Sequence, residues 1–237
     1  ATTTAQRLRS LWALHVTGSL DAELVDTLLS QKDADVRAWT MQLVTEATNR
    51  QRGVSEKVAA TIAKLASADA SSIVRLYASS AIQRLPMEQR WAIADGLASH
   101  AEDAEDHNLP LLTWYGVEPL VMLDPPRALQ LADRSKIPLL SRFIVRRLAA
   151  EDMGMEPLLA HLQKVDDAAR GWMLEEIVAS LRVRANVKAP AAWTKTFDLL
   201  MQSPNLAFRQ QAEYIAVKFG DQRVFPQLRT TLTNREL

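Results

Sequence analysis

Cysteine is absent from this chain, which leaves no residue to build a disulfide, a thiolate metal site, an iron–sulfur cluster or a cysteine nucleophile. Glycine is scarce: seven residues in 237, too scattered to form a GxGxxG or GxxxxGK[ST] phosphate loop. Neither a GxSxG elbow nor a HExxH pair occurs among the serines and four histidines. No apolar run approaches the roughly 20 residues that a bilayer span requires, and no signal-peptide pattern is visible. Charge of one sign is missing too, since 28 basic residues balance 28 acidic ones. A dedicated nucleic-acid binder carries a basic excess, because phosphate neutralisation supplies most of its non-specific affinity. Period-two alternation never lasts more than a few residues, so no sheet is expected.

What the chain does have is helix formers and a recurring shape. Asp35-Val36-Arg37-Ala38-Trp39 runs on to Leu43-Val44, and Ile73-Val74-Arg75-Leu76-Tyr77 runs on to Ala81-Ile82. Weaker echoes are Leu8-Arg9 with Trp12, and Phe208-Arg209 with Ala212, Ile215 and Ala216. The offset from Arg37 to Arg75 is close to the period of HEAT and armadillo units. Apolar residues at i, i+3, i+4 and i+7 give each helix one buried stripe, which a single pair cannot cover and stacked pairs can. The pattern therefore predicts an all-α, right-handed α-α superhelix, a HEAT/armadillo-like solenoid of about seven helix pairs. The expected pairs are 5–30, 35–67, 71–100, 108–134, 138–163, 167–201 and 205–233, forming one domain over 1–237. A start at Ala1 without methionine suggests a domain excised from a larger protein.

Asp21 is the expected N-cap of the helix ending at Leu29, and Asp35 and Ser71 or Ser72 of the next inner helices. Arg37 is expected to reach a carboxylate of the preceding turn, Asp33 or Asp35. The connection around 101–126 breaks the regularity. Glu102, Asp103, Glu105 and Asp106 lead into His107-Asn108-Leu109-Pro110, followed by Trp114-Tyr115-Gly116-Val117-Glu118-Pro119 and Asp124-Pro125-Pro126. Prolines there predict short, kinked helices with fixed turns. His100, His107 and the acids invite a metal reading, yet a solvated acidic loop accounts for them equally, and no metal site is assigned. The carboxylate pairs Asp166-Asp167 and Glu175-Glu176 read as helix N-terminal and surface charge.

Charge is uneven in one place. Seven acids and one base, Arg127, lie between 100 and 133, whereas 134–150 holds Arg134, Lys136, Arg142, Arg146 and Arg147 without an acid. Arg142 and Arg146 share a helix face. Either they pair with acids of the previous repeat or they form a basic strip for an acidic partner. Of the six tryptophans, most are expected to fill gaps between stacked pairs. Trp114 with Tyr115 is the pair most open to exposure in a groove.

The stretch from Arg9-Ser10-Leu11-Trp12-Ala13-Leu14-His15 through Asp35-Val36-Arg37-Ala38-Trp39 and Val74-Arg75-Leu76 resembles a known bacterial segment. So do Arg84-Leu85-Pro86 and, above all, Glu105-Asp106-His107-Asn108-Leu109-Pro110-Leu111 with Trp114-Tyr115 and Glu118-Pro119-Leu120-Val121. The order, over most of residues 5–150, resembles the HEAT-like region of large exported haem-binding proteins of the PVC-type CxxCH group, labelled putative membrane-bound dehydrogenases. That resemblance implies a periplasmic or envelope setting and a parent protein engaged in redox chemistry. Lacking cysteine, this chain has no CxxCH motif, so no cofactor is expected within it. The expectation is a non-catalytic scaffold, its partner a neighbouring domain or another protein, with no nucleic acid and no membrane insertion. Its candidate surface is His107, Asn108, Trp114, Tyr115, Glu118, Arg142, Arg146 and Arg147. Two alternatives remain: a HEAT-like enzyme of the DNA glycosylase type, and a carbohydrate or small-molecule groove at Trp114 and Tyr115.

Overall fold

The computed structural model describes residues 2–46, 53–184, 187–226 and 229–230. Among them the chain is all-helical and has no strand. The helices are α1 (Thr4–Val16), α2 (Ala22–Leu29), α3 (Ala34–Glu46), α4 (Glu56–Ala68), α5 (Ser72–Ala81), α6 (Met87–Leu97) and α7 (Leu109–Val121). They continue as α8 (Pro125–Arg134), α9 (Pro138–Ala149), α10 (Asp152–Leu162), α11 (Asp167–Arg182), α12 (Trp193–Met201) and α13 (Leu206–Phe219). Each expected pair from 5–30 to 167–201 coincides with two of these helices, within three residues at its outer edges. The end of the seventh expected pair, 231–233, lies outside the described residues, as do 47–52 in the second. None of the described helices is long and apolar enough to cross a membrane.

Two compact units emerge, one of Ala1–Leu120 with Arg134–Leu140, the other of Val121–Asp133 with Ser141–Leu237. In the first, α1, α3 and α5 lie side by side as one layer and α4 and α6 pack together in a second. Leu11, Leu29, Val36, Met41, Ile62, Val74, Ile82 and Ile93 fill the space between. In the second unit, α11 and α13 neighbour each other, as do α10 and α12, around Ile144, Leu158, Leu159, Met173, Ile177 and Ile215. Burying these stripes supplies the main stabilisation, at about 25 cal/mol per Å² of apolar surface.

One arginine explains the repeated sequence shape. Arg7, Arg37, Arg75, Arg170 and Arg209 are each the fourth residue of α1, α3, α5, α11 and α13. In the last four, the guanidinium donates backwards to a carbonyl beyond the end of the preceding helix. Arg37 Nη1 reaches Gln31 O (2.6 Å), Arg75 Nη1 reaches Asp69 O (2.8 Å), Arg170 Nη2 reaches Val165 O (2.6 Å) and Arg209 Nη1 reaches Ser203 O (2.6 Å). Carbonyls at a helix C-terminus lack intrahelical partners and carry the negative end of the dipole, so a cation satisfies them twice over. The echo at Arg9 is thereby corrected, because Arg7 occupies the register and contacts Asp33 at 3.5 Å.

The expected partner of Arg37 is also corrected. Its guanidinium clasps Asp69 of the following repeat, at 2.7 and 2.8 Å, and not Asp33 or Asp35. Arg75 repeats the arrangement with Asp103, donating at 2.5 and 2.6 Å from a fully enclosed position. These carboxylates also order the turns. Asp33 accepts the amide of Asp35 at 3.1 Å and Asp69 that of Ser71 at 2.9 Å, so neither Asp35 nor Ser71 acts as the side-chain cap expected of it. Asp21 does cap α2, accepting from the Leu24 amide at 2.8 Å.

Candidate functional site

The expected surface residues fall in both units. His107, Asn108, Trp114, Tyr115 and Glu118 belong to the first unit and Arg142, Arg146 and Arg147 to the second. The acidic junction turns out to be structural. Asp103 is buried against Arg75, Asp106 accepts the Asn108 and Leu109 amides at 2.8 and 2.9 Å to start α7, and Glu102 meets His100 Nδ1 at 2.9 Å. The two amides, donated by Leu109 and Asn108, hold the Asp106 carboxyl below its usual range. His100 Nε2 contacts the Ala66 carbonyl at 2.9 Å, so its second nitrogen is occupied as well. Among the described residues no cluster of three His, Asp or Glu could hold a metal ion. The prolines do not break the helix, for Pro110 sits in the first turn of α7 and Pro119 inside its last turns.

The arginine strip is absorbed in the same way, Arg142 and Arg146 by the repeat that follows and Arg147 by its own, while Arg134 meets Asp95 of the repeat before at 2.8 Å. Arg142 donates to Glu176 at 2.8 Å and Glu175 at 3.1 Å, Arg146 to Glu176 at 2.7 Å, and Arg147 to Glu151 at 3.0 Å. Hydrogen bonds that Arg142 donates to Glu176 foremost, and also to Glu175, raise its pKa. Glu176, expected as surface charge, is buried on α11. With a carboxylate facing each guanidinium, the strip offers no spare row of cations for phosphates.

The junction's aromatic pair separates. Tyr115 is 56% exposed and Trp114 only partly so. Asn108, Leu111, Leu112 and Tyr115 recur at i, i+3, i+4 and i+7, one outward stripe of α7. Matching stripes run along α3 (Asp35, Trp39, Gln42, Glu46) and α5 (Ile73, Leu76, Tyr77, Ser80). On α3 and α5, Met41 and Ser79, two residues on from Trp39 and Tyr77 and so on the opposite side of the helix, are the buried ones.

These stripes line up as a row of rings. Trp12, 38% exposed on α1, meets Trp39 edge-on with centroids 5.1 Å apart at 75°, and Trp39 meets Tyr77 at 5.8 Å and 54°. Beside Trp39 and Tyr77 opens a groove of about 410 Å³, lined also by Leu76, Leu112, Gln42, Glu46, Ser80 and Asn108. Beneath its polar edge, Arg84 donates to Gln42 Oε1 (2.8 Å), Ser80 Oγ (3.1 Å) and Thr45 Oγ1 (3.2 Å), while the Gln42 amide donates to Glu46. Burial lowers the Arg84 pKa, opposed by the charge of Glu46. Burial, then the charge of Asp35, raises that of Tyr77, so its hydroxyl stays protonated. Tyr115 lines a separate recess with Arg90 and Pro119. Trp39 and Tyr77 were legible as a signal, since each follows the register arginine by two residues, as Trp172 follows Arg170. Of the tryptophans, most of which were expected to fill gaps, Trp91 and Trp193 are enclosed while Trp12 and Trp39 are partly open.

No family model matches the chain, and no curated protein matches it.

Proposed function

We propose that the chain is a HEAT-like α-solenoid that works as a protein-docking scaffold, and that the groove between α3, α5 and α7 is its docking surface. The carrying observation is the row Trp12, Trp39 and Tyr77, half-open to solvent beside a cavity large enough for several side chains. Aromatic side chains lose little conformational freedom on binding, and they dominate the energetics of interfaces. Leaving them exposed on a helix layer gains nothing for the fold. Of the residues expected for such a surface, Asn108 belongs to the groove, and His107 stands beside it in the chain. The resemblance of the junction to exported haem-binding proteins supports an envelope setting, with a domain of a redox protein as partner, and rests on the quoted residues alone.

A photo-crosslinker placed at Leu112 in the full chain tests the reading. A partner is expected to crosslink there in extracts and to be lost from the paired variant Trp39→Ala with Tyr77→Ala, while Arg134→Ala retains it. Crosslinks that survive removal of both rings would refute the assignment of this surface.

A further inference from the structure

We infer that one edge of the second unit rests on the surface of an anionic lipid bilayer, with Leu123, Met153 and Val183 dipping into it. This goes beyond the docking reading, which concerns a groove of the first unit. Among the described residues of the second unit these three are the most exposed large apolar side chains, at 62%, 82% and 90%. They hold one place in three successive pairs, in or beside the turn from first helix to second: α7 to α8, α9 to α10 and α11 to α12. The last two turns touch, because Arg184 donates to Ala149 O at 2.9 Å and pairs with Asp152. The pair carrying Leu123 adjoins the next one where Asp133 meets His161 at 3.0 Å. Stacked helices lie about 8–10 Å apart, so turns repeated in this way present a row of separate tips. A single exposed apolar residue is ordinary, whereas a row of them set among charged groups marks a contact surface.

Charge identifies what the row meets. Of the acids at the last two turns, Glu151 is matched by Arg147 at 3.0 Å and Asp152 by Arg184, while Glu156 accepts the Ala192 amide at 3.0 Å. Arg182 and Lys188 are exposed on either side of Val183 in the chain, and among the described residues neither pairs with a carboxylate. Lys218 Nζ donates to the carbonyls of Arg182 and Arg184 at 3.4 and 3.1 Å, which brings a third cation to the same turn. Beside Leu123, Asp124 and Arg127 balance one another. Aliphatic tips among cations suit the boundary between headgroups and acyl chains, where the tips enter the apolar layer and the long basic chains stay at the phosphates. A nucleic acid would engage the cations and leave Met153 and Val183 in water. A second copy would set the same cations against each other. A protein partner needs three apolar recesses at this spacing inside an acidic rim, whereas a bilayer needs no matching shape.

The test is flotation of the full chain with phosphatidylcholine vesicles, with and without about 30% phosphatidylserine. Binding is expected to be about tenfold or more tighter to the anionic vesicles and to weaken as salt rises. Met153→Ser with Val183→Ser is expected to reduce it about tenfold or more, since two buried tips are lost. Arg182→Gln with Lys188→Gln is expected to cost about fivefold per charge. All four positions are exposed, so an unchanged melting temperature should accompany each loss. Because the chain has no cysteine, an environment-sensitive dye on Val183→Cys reports the contact alone, and its emission should shift to the blue where that of a dye on Ser10→Cys does not. Absence of vesicle binding, equal binding to neutral and anionic vesicles, or binding that survives the paired serine variant would overturn the proposal. So would an acidic protein that needs this edge while lipid does not bind. Trp39→Ala with Tyr77→Ala should leave vesicle binding intact, which keeps the fate of this surface separate from that of the groove.

Discussion

Changing Asp103 to Asn removes one charge from the interior of the first unit, and its consequence follows from burial. Arg75 and Asp103 expose only 3% and 5% of their side chains, and the carboxylate accepts from two guanidinium nitrogens at once. Asp103 is what balances the buried cation. Glu102 approaches Arg75 only to 3.5 Å and is itself 62% exposed, so it compensates little. Breaking a buried pair from one side costs roughly 3–5 kcal/mol, because the remaining ion stays desolvated. That corresponds to a fall in melting temperature of about 10 °C for a chain of this size. Urea unfolding read at the Trp12 and Trp39 emission should show the midpoint falling with the slope retained. The double replacement Arg75→Met with Asp103→Leu should recover most of the loss, since it removes both charges. Arg134→Ala is the control. Its pair with Asp95 is 61% and 38% exposed, and it should cost under about 1 kcal/mol. If Asp103→Asn costs no more than Arg134→Ala, the ladder of arginines and carboxylates is not what joins the repeats.

Glycine substitutions should divide by what a methyl group would meet. Gly154→Ala places Cβ 2.4 Å from the Leu148 carbonyl oxygen and Gly116→Ala places it 2.2 Å from Ile82 Cγ2, so each should lose about 1–3 kcal/mol of unfolding free energy. Gly171→Ala on α11 finds nothing nearer than 3.6 Å and should gain about 0.5–1 kcal/mol; a loss there would contradict the packing. Glu176→Gln should weaken the second unit by roughly 1–3 kcal/mol, and a spared melting temperature would show that Arg142 and Arg146 do not depend on it. Asp221, held by Arg223 first and also by the Trp193 indole, has its pKa lowered from 3.8 to about 2. A depressed folded pKa means this stabilisation is complete above the unfolded value and fades as pH falls from about 4 towards 2. Its size is at most about 2.5 kcal/mol. Asp221→Asn should remove that slope from an acid titration of stability, and an unchanged slope would assign it to other carboxylates.

Helix positions were readable because a helix needs only local information: apolar residues at helical spacing, a cap such as Asp21, a break such as Gly18 with positive φ. Burial partners were less so. The expectation that Arg37 pairs within its own turn failed because Asp69, 32 residues on, comes adjacent only when helices stack. The same limit put Glu176 on the surface, where an acidic pair on a helix usually belongs, before α9 packed its two arginines over it. Tyr115 and Asn108 were singled out by their place at an irregular junction, and both are exposed. Trp39 stood among tryptophans expected mostly to fill gaps and Tyr77 only within the repeated shape, since an aromatic residue at helical spacing gives no sign of which side its neighbour covers.

By itself the sequence determined the helical class, the outer bounds of six helix pairs to within three residues and the recurrence of Arg37 and Arg75 at the start of their helices, because each depends on a few consecutive residues. Only the tertiary structure decided which charges cancel and which rings stay open. A carboxylate and a guanidinium find each other across a stacking interface, and a ring is exposed or enclosed by the helix beside it. Both depend on residues far apart in the chain, and on packing that no single helix encodes.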